Sequence, residues 1–399
     1  MSELIRHIQR KAEALEERIL AIRRHLHAHP ELSYREFETA EYIRSQLDEL
    51  NIPYREEQTG TIARIQGEKK EDGKVTSRNL ALRADIDALP VLEANDIPFK
   101  STREGVMHAC GHDAHSAVLL GAASILQSLR HEFSGTLNLI FQPAEEKSPG
   151  GAKNMIAAGA LESMNSILGE HVNPGLPAGK VGFRSGLMMA SADEIYMTVH
   201  GKGGHAAAPH SVIDPVLISS HIIVALQQIV SRMANPDTPS VLSFGKVDAP
   251  GAMNVIPSSV RIEGTFRTVN EEWRERALGE IRSIAQSLAS SMGGSCDLEI
   301  IRGYPVLEND PSLTRRSMEL AKEYLGEENV VELPLVMWAE DFAYYNREIP
   351  GCFYNLGIGN GQKGWTSPLH SPNMMVDESA LVTGAGLMAY LALGELNLP

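Results

Sequence analysis

The sequence predicts a two-domain α/β protein: a layered α/β domain interrupted by an inserted β-α-β-β-α-β domain of ferredoxin-like pattern. Three observations predict it. A chain of 399 residues is long for a single hydrophobic core. Residues 61–190 repeat the order strand, polar cluster, helix, with acids, imidazoles and a thiol just past apolar runs. From about residue 191 the texture changes to alternating strands and two long helical stretches, and from about 305 the α/β texture returns. The expected divisions are 1–190 and 306–399 for the first domain and 191–305 for the insert.

Taken in order, residues 4–29 read as a helix, because Leu15, Ile19, Ile22 and Leu26 recur at three-four spacing and Pro30 ends the run. A second helix fits 36–50. Short strands fit 61–65 and 80–84, joined by a charged, glycine-containing, hairpin-like loop at 67–79. A helix over 117–129, a strand over 136–141 and a strand over 166–168 follow. In the insert, strands fit 194–200, 240–247, 260–267 and 296–302, with helices over 214–233 and 271–292. The chain closes with a helix at 312–325, a strand at 351–356 and a helix at 378–395.

The hydrophobic fraction of 43% and charged fraction of 22% are those of a soluble globular protein. A net charge of −15 argues against nucleic acid or an anionic membrane as a partner. Residues 1–20 are charged and amphipathic rather than a secretory leader, and the longest apolar runs fall short of a bilayer span. Three cysteines, Cys110, Cys296 and Cys352, make no disulfide framework and fit a reducing, cytoplasmic setting.

The richest stretch is His108-Ala109-Cys110-Gly111-His112-Asp113-Ala114-His115, which packs a thiol, three imidazoles and a carboxylate into eight positions. Thiolate and imidazole bind borderline-soft divalent metals well. Asp85 and Asp87 follow the strand at 80–84, where groups at the carboxyl ends of α/β strands tend to be functional. Glu145 and Glu146 follow the strand at 136–141. In such an adjacent pair one acid could ligate a metal while the other takes a proton from water. His171 follows the strand at 166–168, and His370 lies in a proline-flanked loop. With Cys110, His112 and Glu146 these two complete a five-donor set from four loops, enough for two metal ions sharing a bridging group.

The runs Arg83-Ala84-Asp85-Ile86-Asp87-Ala88-Leu89-Pro90, 108–115, Gln142-Pro143-Ala144-Glu145-Glu146 and Gly203-Gly204-His205-Ala206 resemble those of the M20 metallopeptidase family. Within it they are similar to the amidohydrolase branch of aminoacylases, hippurate hydrolases, N-acetyl-diaminopimelate deacetylases and auxin-conjugate hydrolases. The resemblance implies a zinc-peptidase-like catalytic domain with a central mixed sheet, an inserted dimerisation domain, and a homodimer or higher oligomer. It implies two divalent ions (Zn, Mn, Co or Ni) on Cys110, His112, Glu146, His171 and His370, with Glu145 as general base. Asp87 matches an acid that orients a histidine ligand. His205 matches a histidine that polarises the substrate carbonyl, and Asn254 and Arg267 match positions near the substrate carboxylate. Residues 338–341, including Glu340, match a pocket wall. Asp85 stands where other branches carry a ligating histidine. Asp113 is expected to orient His112, and His108 to be a loop residue.

The expected activity is hydrolysis of the amide bond of N-acyl amino acids. A dipeptidase or carboxypeptidase activity is the nearest alternative. A cysteine hydrolase using Cys110 as nucleophile would leave Glu145, Glu146 and His370 idle. A non-catalytic, metal-stabilised dimeric binding protein would leave Glu145 without a role.

Overall fold

The structure, a computed structural model, describes residues 3–69 and 78–398. The centre of the loop expected at 67–79 lies outside the described residues. The chain divides into two compact units, and each is taken by itself. The first holds the chain up to Gly186, Glu308–Pro334, and everything from Asp341 on; the second is Leu187–Leu307 with Leu335–Glu340. Residues 335–340, assigned from sequence to the first domain, therefore pack with the second unit.

The first unit is built on a mixed sheet of eight described strands. Their order is Tyr54–Glu57, Gly60–Gln66, Thr136–Gln142, Leu80–Asp85, Ser166–Pro177, Gly351–Gly359, Val181–Phe183 and Val330–Glu332. The four middle strands run parallel, so they end on the same side, and polar clusters follow two of them. Their apolar runs are buried throughout, as expected for strands covered on both faces.

The helices His112–Ser128 and Ser379–Leu396 pack on each other inside this unit and are buried on nearly every face. Gly121 permits that approach: a Cβ there would lie 2.9 Å from the Cβ of Ala385. Ser379–Leu396 is apolar and long enough to cross a membrane by composition, but its burial makes it a core helix.

Among the differences from the sequence reading are three in this unit. The helix expected at 4–29 is interrupted at Leu15, giving Glu3–Ala14 and Glu16–Ala28. Tyr54–Glu57, with three charged residues in four, forms an edge strand, where charge discourages further pairing. The strand expected at 166–168 runs on to Pro177, because its second half pairs with Gly351–Gly359 despite two prolines and a glycine.

The second unit is a four-stranded antiparallel sheet in the order Ser240–Asp248, Ser259–Thr268, Asp193–His200, Ser295–Arg302. Helices Pro215–Gln228 and Glu271–Ser291 cover one face, and Ile195, Met197, Val199, Ile218, Ile222, Ile262 and Ile281 form the core between them. Both helices begin on side-chain caps. Asp214 accepts from the N–H groups of Val216 and Leu217 ahead of Pro215, and Asn270 accepts from Trp273. The helix expected at 214–233 widens into a π-turn at Ile229–Met233.

Candidate active site

The site begins where the strand Leu80–Asp85 ends. Two residues past its last residue, Asp85, the buried carboxylate of Asp87 gathers four donors. Ser33 Oγ donates to Oδ2 at 2.7 Å, and the Glu146 N–H to the same atom at 3.0 Å. The Glu145 N–H donates to Oδ1 at 3.0 Å, and His112 Nδ1 lies 3.2 Å from it. Burial disfavours the charged form, but these donors hold Asp87 below the usual carboxylate range. An acceptor-only carboxylate requires His112 Nδ1 to carry a proton, so in the neutral ring Nε2 keeps a lone pair.

The two glutamates reach Asp87 through a tight turn. Ala144 adopts φ 54°, the left-handed region that costs a non-glycine residue about 1 kcal/mol. Its N–H donates to Glu36 Oε1 at 2.9 Å, while Thr59 Oγ1 donates to Glu36 Oε2 at 2.8 Å. Glu36 and Ser33 were not singled out from sequence. Glu36 falls inside a helical pattern, where an acid reads as a solvated face, and only the fold reveals that it is buried.

The donors expected from sequence in this unit come together. Gly111, at φ 88°, turns the chain into the helix His112–Ser128, and a Cβ there would meet Val172 Cγ2 at 2.4 Å. Cys110 Sγ faces His171 Nε2 at 3.4 Å. His171 Nδ1 donates to the Val172 carbonyl at 2.8 Å, which leaves Nε2 with a lone pair. His370, at φ 64°, is anchored by its N–H to the Ala109 carbonyl at 2.8 Å. Its Nε2 lies 3.2 Å from Glu146 Oε1, and His112 Nε2 lies 3.9 Å from the same oxygen. Of the groups whose ligand atoms lie within 4.8 Å of one another, three are built wholly from these donors and Glu145: Cys110–His112–His171, Cys110–Glu146–His370 and His112–Glu145–Glu146.

Those residues fit a pair of divalent cations. His112 Nε2 and Glu146 Oε1 are buried without a hydrogen bond, an arrangement that costs free energy unless something else satisfies them. Burial opposes charging His112, yet Asp85, Asp87 and Glu146 outweigh it and push its pKa up to about 10. The cluster thus has a deficit of positive charge that bound cations would meet. Burial, joined by Glu146 and Glu145, pushes the Cys110 thiol well above its usual value. An uncharged thiol is a poor nucleophile, which disfavours the cysteine-hydrolase alternative.

One member of the eight-residue motif, Asp113, differs from expectation. Asp113 does not orient His112, since Asp87 does. Instead Asp113 Oδ2 lies 2.8 Å from His27 Nδ1 and 2.9 Å from Arg23 Nε, while His27 Nε2 lies 3.1 Å from Glu93 Oε1. His108 is buried, with neither ring nitrogen hydrogen-bonded, and burial lowers its pKa to about 4. His115 bonds to Asp85 and to the backbone at Val172.

Burial disfavours the Asp113 anion, but Arg23 and His27 hold its carboxyl far below the usual value of 3.8. A depressed folded-state pKa contributes stability that is complete above the unfolded value and is lost as pH falls below it. In urea unfolding, the stability advantage of wild type over Asp113→Asn is therefore expected to be greatest near neutral pH. It should shrink as pH falls through about 4; a pH-independent difference contradicts the ion-pair assignment.

In the second unit, His205 pairs with Val255 in a two-stranded ribbon, and the Asn254 carbonyl accepts from the Ala206 N–H at 3.0 Å. The exposed His205 ring accepts at Nδ1 from the Ala207 N–H at 3.0 Å, so its neutral form presents Nε2–H outward. Arg267 lies on the strand Ser259–Thr268 and donates from Nη1 to the Met337 carbonyl at 3.0 Å. Glu340 is buried and Trp338 is exposed.

Known proteins are similar to this chain along nearly its whole length. Bacillus subtilis N-acetylcysteine deacetylase is 39% identical over 384 residues, covering 95% of this chain and 97% of that protein. Thermostable carboxypeptidase 2 of Saccharolobus solfataricus is 38% identical over 400 residues, covering 99% of this chain and 100% of the relative. Among solved structures, a Bacillus subtilis dinuclear metal-binding peptidase of the M20 family superposes with a TM-score of 0.81 at 35% identity, covering 96% of this chain and 98% of that one. The profile of peptidase family M20/M25/M40 matches residues 81–394, most of the chain, and the protein belongs to that family of hydrolases.

Proposed function

We propose that this hydrolase is a dinuclear metal-dependent amidohydrolase that splits N-acyl amino acids into a carboxylic acid and a free amino acid. One observation carries the reading: five metal-type donors gather in overlapping clusters, one of which includes Glu145, and two of the donor atoms are buried without a hydrogen bond. Cys110, His112, Glu146, His171 and His370 would hold the ions. When bound, the ions would acidify water and polarise the acyl carbonyl.

The residues divide the remaining work. Glu145, fixed through its N–H to Asp87, takes the proton of the attacking water and later delivers it to the leaving amine. Asp87 keeps His112 in the tautomer that offers Nε2. His205 is assigned as donor to the developing oxyanion, a role its outward Nε2–H suits. Arg267 and Asn254 are assigned to the substrate carboxylate. Dimerisation through the second unit is supported by helix Pro215–Gln228, which exposes Val216, Leu217 and Val224, and by the adjoining exposed Val247. The three free, buried cysteines suit the proposed cytoplasmic location.

The carboxypeptidase relative supports a second reading in which the acyl group is itself an amino acid or peptide. A panel of N-acetyl, N-benzoyl and dipeptide substrates separates the two. Hydrolysis of N-acyl amino acids is expected, and turnover confined to dipeptides would transfer the assignment to a peptidase. Complete chelation should cut turnover by at least about 100-fold, restored by adding Zn, Mn, Co or Ni. Undiminished activity in the metal-free protein would overturn the mechanism.

A further inference from the structure

His115 belongs to the metal-type motif, and both of its ring nitrogens are hydrogen-bonded into a chain of buried groups. Its Nε2 lies 2.9 Å from the N–H of Val172. A backbone N–H can only donate, so Nε2 must accept and the ring proton sits on Nδ1. That Nδ1 lies 2.5 Å from Asp85 Oδ1 and donates to it. The other oxygen of Asp85 accepts from Arg83 Nη1 at 2.7 Å, and Arg83 Nη2 reaches Asp341 Oδ1 at 2.8 Å. Gln142 Nε2 donates to Asp341 as well, and its Oε1 accepts from Arg83 Nε at 2.9 Å. Arg83, Asp85 and Asp341 are all fully buried.

The far end of this chain grips a single peptide unit from one side while His171 grips the next from the other. His115 holds the N–H of Val172, and His171 Nδ1 donates to the carbonyl of Val172. The orientation of the His171 ring, and with it the 3.4 Å approach of Nε2 to Cys110 Sγ, follows from where that residue's backbone is held. Asp85 is engaged on both oxygens, to His115 and Arg83. It therefore serves as an anchor, although its Oδ2 lies 3.6 Å from His112 Nε2.

We propose that His115 is a positioning residue: anchored by Asp85 and Arg83, it fixes the backbone at Val172 and so sets His171 opposite Cys110. The inference rests on the assignment of Cys110 and His171 as metal ligands. It belongs to the class of supporting contacts whose loss typically weakens metal binding by about 10- to 100-fold.

The test is a cobalt(II) titration of the full-length chain, following affinity and the thiolate-to-cobalt absorption, with melting temperature measured in parallel. His115→Ala is expected to weaken cobalt binding by about 10- to 100-fold and to alter the thiolate band. Two further variants divide the contacts. In His115→Gln the amide oxygen can take the place of Nε2 and accept from Val172, so affinity should stay within a few-fold of wild type. In His115→Asn the shorter amide can reach only Asp85, so affinity should fall as in the alanine variant. Should alanine prevent folding, the Gln–Asn comparison carries the test. A lower melting temperature with wild-type cobalt affinity and spectrum in both His115→Ala and His115→Asn would overturn the proposal and leave His115 a stability residue. Failure of the wild-type chain to bind cobalt with a thiolate band would overturn the ligand assignment itself, and the proposal with it.

Discussion

Glu145→Gln is expected to lower kcat by about 100- to 10,000-fold while leaving metal content unchanged. The substitution keeps side-chain volume and removes only the ability to take a proton. The contact that fixes this residue is made by its backbone N–H to Asp87, and it survives the exchange. Glu145 belongs to the cluster with His112 and Glu146, yet Cys110 groups with His112 and His171, and again with Glu146 and His370, without needing it. Metal analysis of the purified variant, read beside its steady-state kinetics, checks both halves. A kcat within about tenfold of wild type would remove Glu145 from the base role; loss of metal together with activity would reassign it as a ligand.

The second large effect falls on Asp87. Asp87→Ala strips four donors of their acceptor at once: Ser33, His112 and the backbone N–H groups of Glu145 and Glu146. Removing one partner from a buried charged network costs about 3–5 kcal/mol, a large share of the roughly 5–15 kcal/mol that holds a protein folded. Asp87→Asn should be milder. If its amide nitrogen takes the place of Oδ2, Ser33 can turn its hydroxyl to accept, and only the Glu146 N–H is left facing a donor. The Asn variant is therefore expected to fold, with metal affinity lowered by about 10- to 100-fold. Urea unfolding and metal titration of the two variants provide the measurement. An alanine variant as stable as wild type would show that the four contacts carry no net free energy.

Much of this site is legible in the sequence because its chemistry is local. Cys110 and His112 lie two positions apart, and Glu145 and Glu146 are adjacent, so residue type and spacing announce them. Asp87 is legible for a similar reason, since it directly follows a short apolar strand. What escaped the sequence is non-local. Ser33 and Glu36 reach the site from the start of the chain, through contacts to Asp87 and to the Ala144 N–H. Asp341 meets Arg83 only because the fold returns the last part of the chain to the first sheet. Asp113 misled for the opposite reason. Adjacency to His112 suggested a partnership, but on a helix neighbouring residues point in different directions, and Asp113 faces His27 and Arg23 instead. Among the strands, Tyr54–Glu57 was illegible because its charged residues suit an edge and carry no apolar alternation.

The pairing of the strand that carries His171 also bears on how the protein comes into being. That strand lies between Leu80–Asp85 and Gly351–Gly359, so its second flank is supplied by a segment synthesised after the whole of the other unit. His370 emerges later still. Until then a nascent chain holds Cys110 and His112 without the strand pairing that seats His171, and one edge of Ser166–Pro177 is left unpaired. Such long-range closure is slow and favours aggregation of incomplete chains. The four-stranded sheet of the second unit and its two covering helices all lie between Asp193 and Arg302, and only the short stretch 335–340 joins that unit from later in the chain. Assembly of the chemistry thus waits on Gly351–Gly359 and His370, and a chain truncated before Gly351 would carry most of the metal-type donors without the scaffold that aligns them.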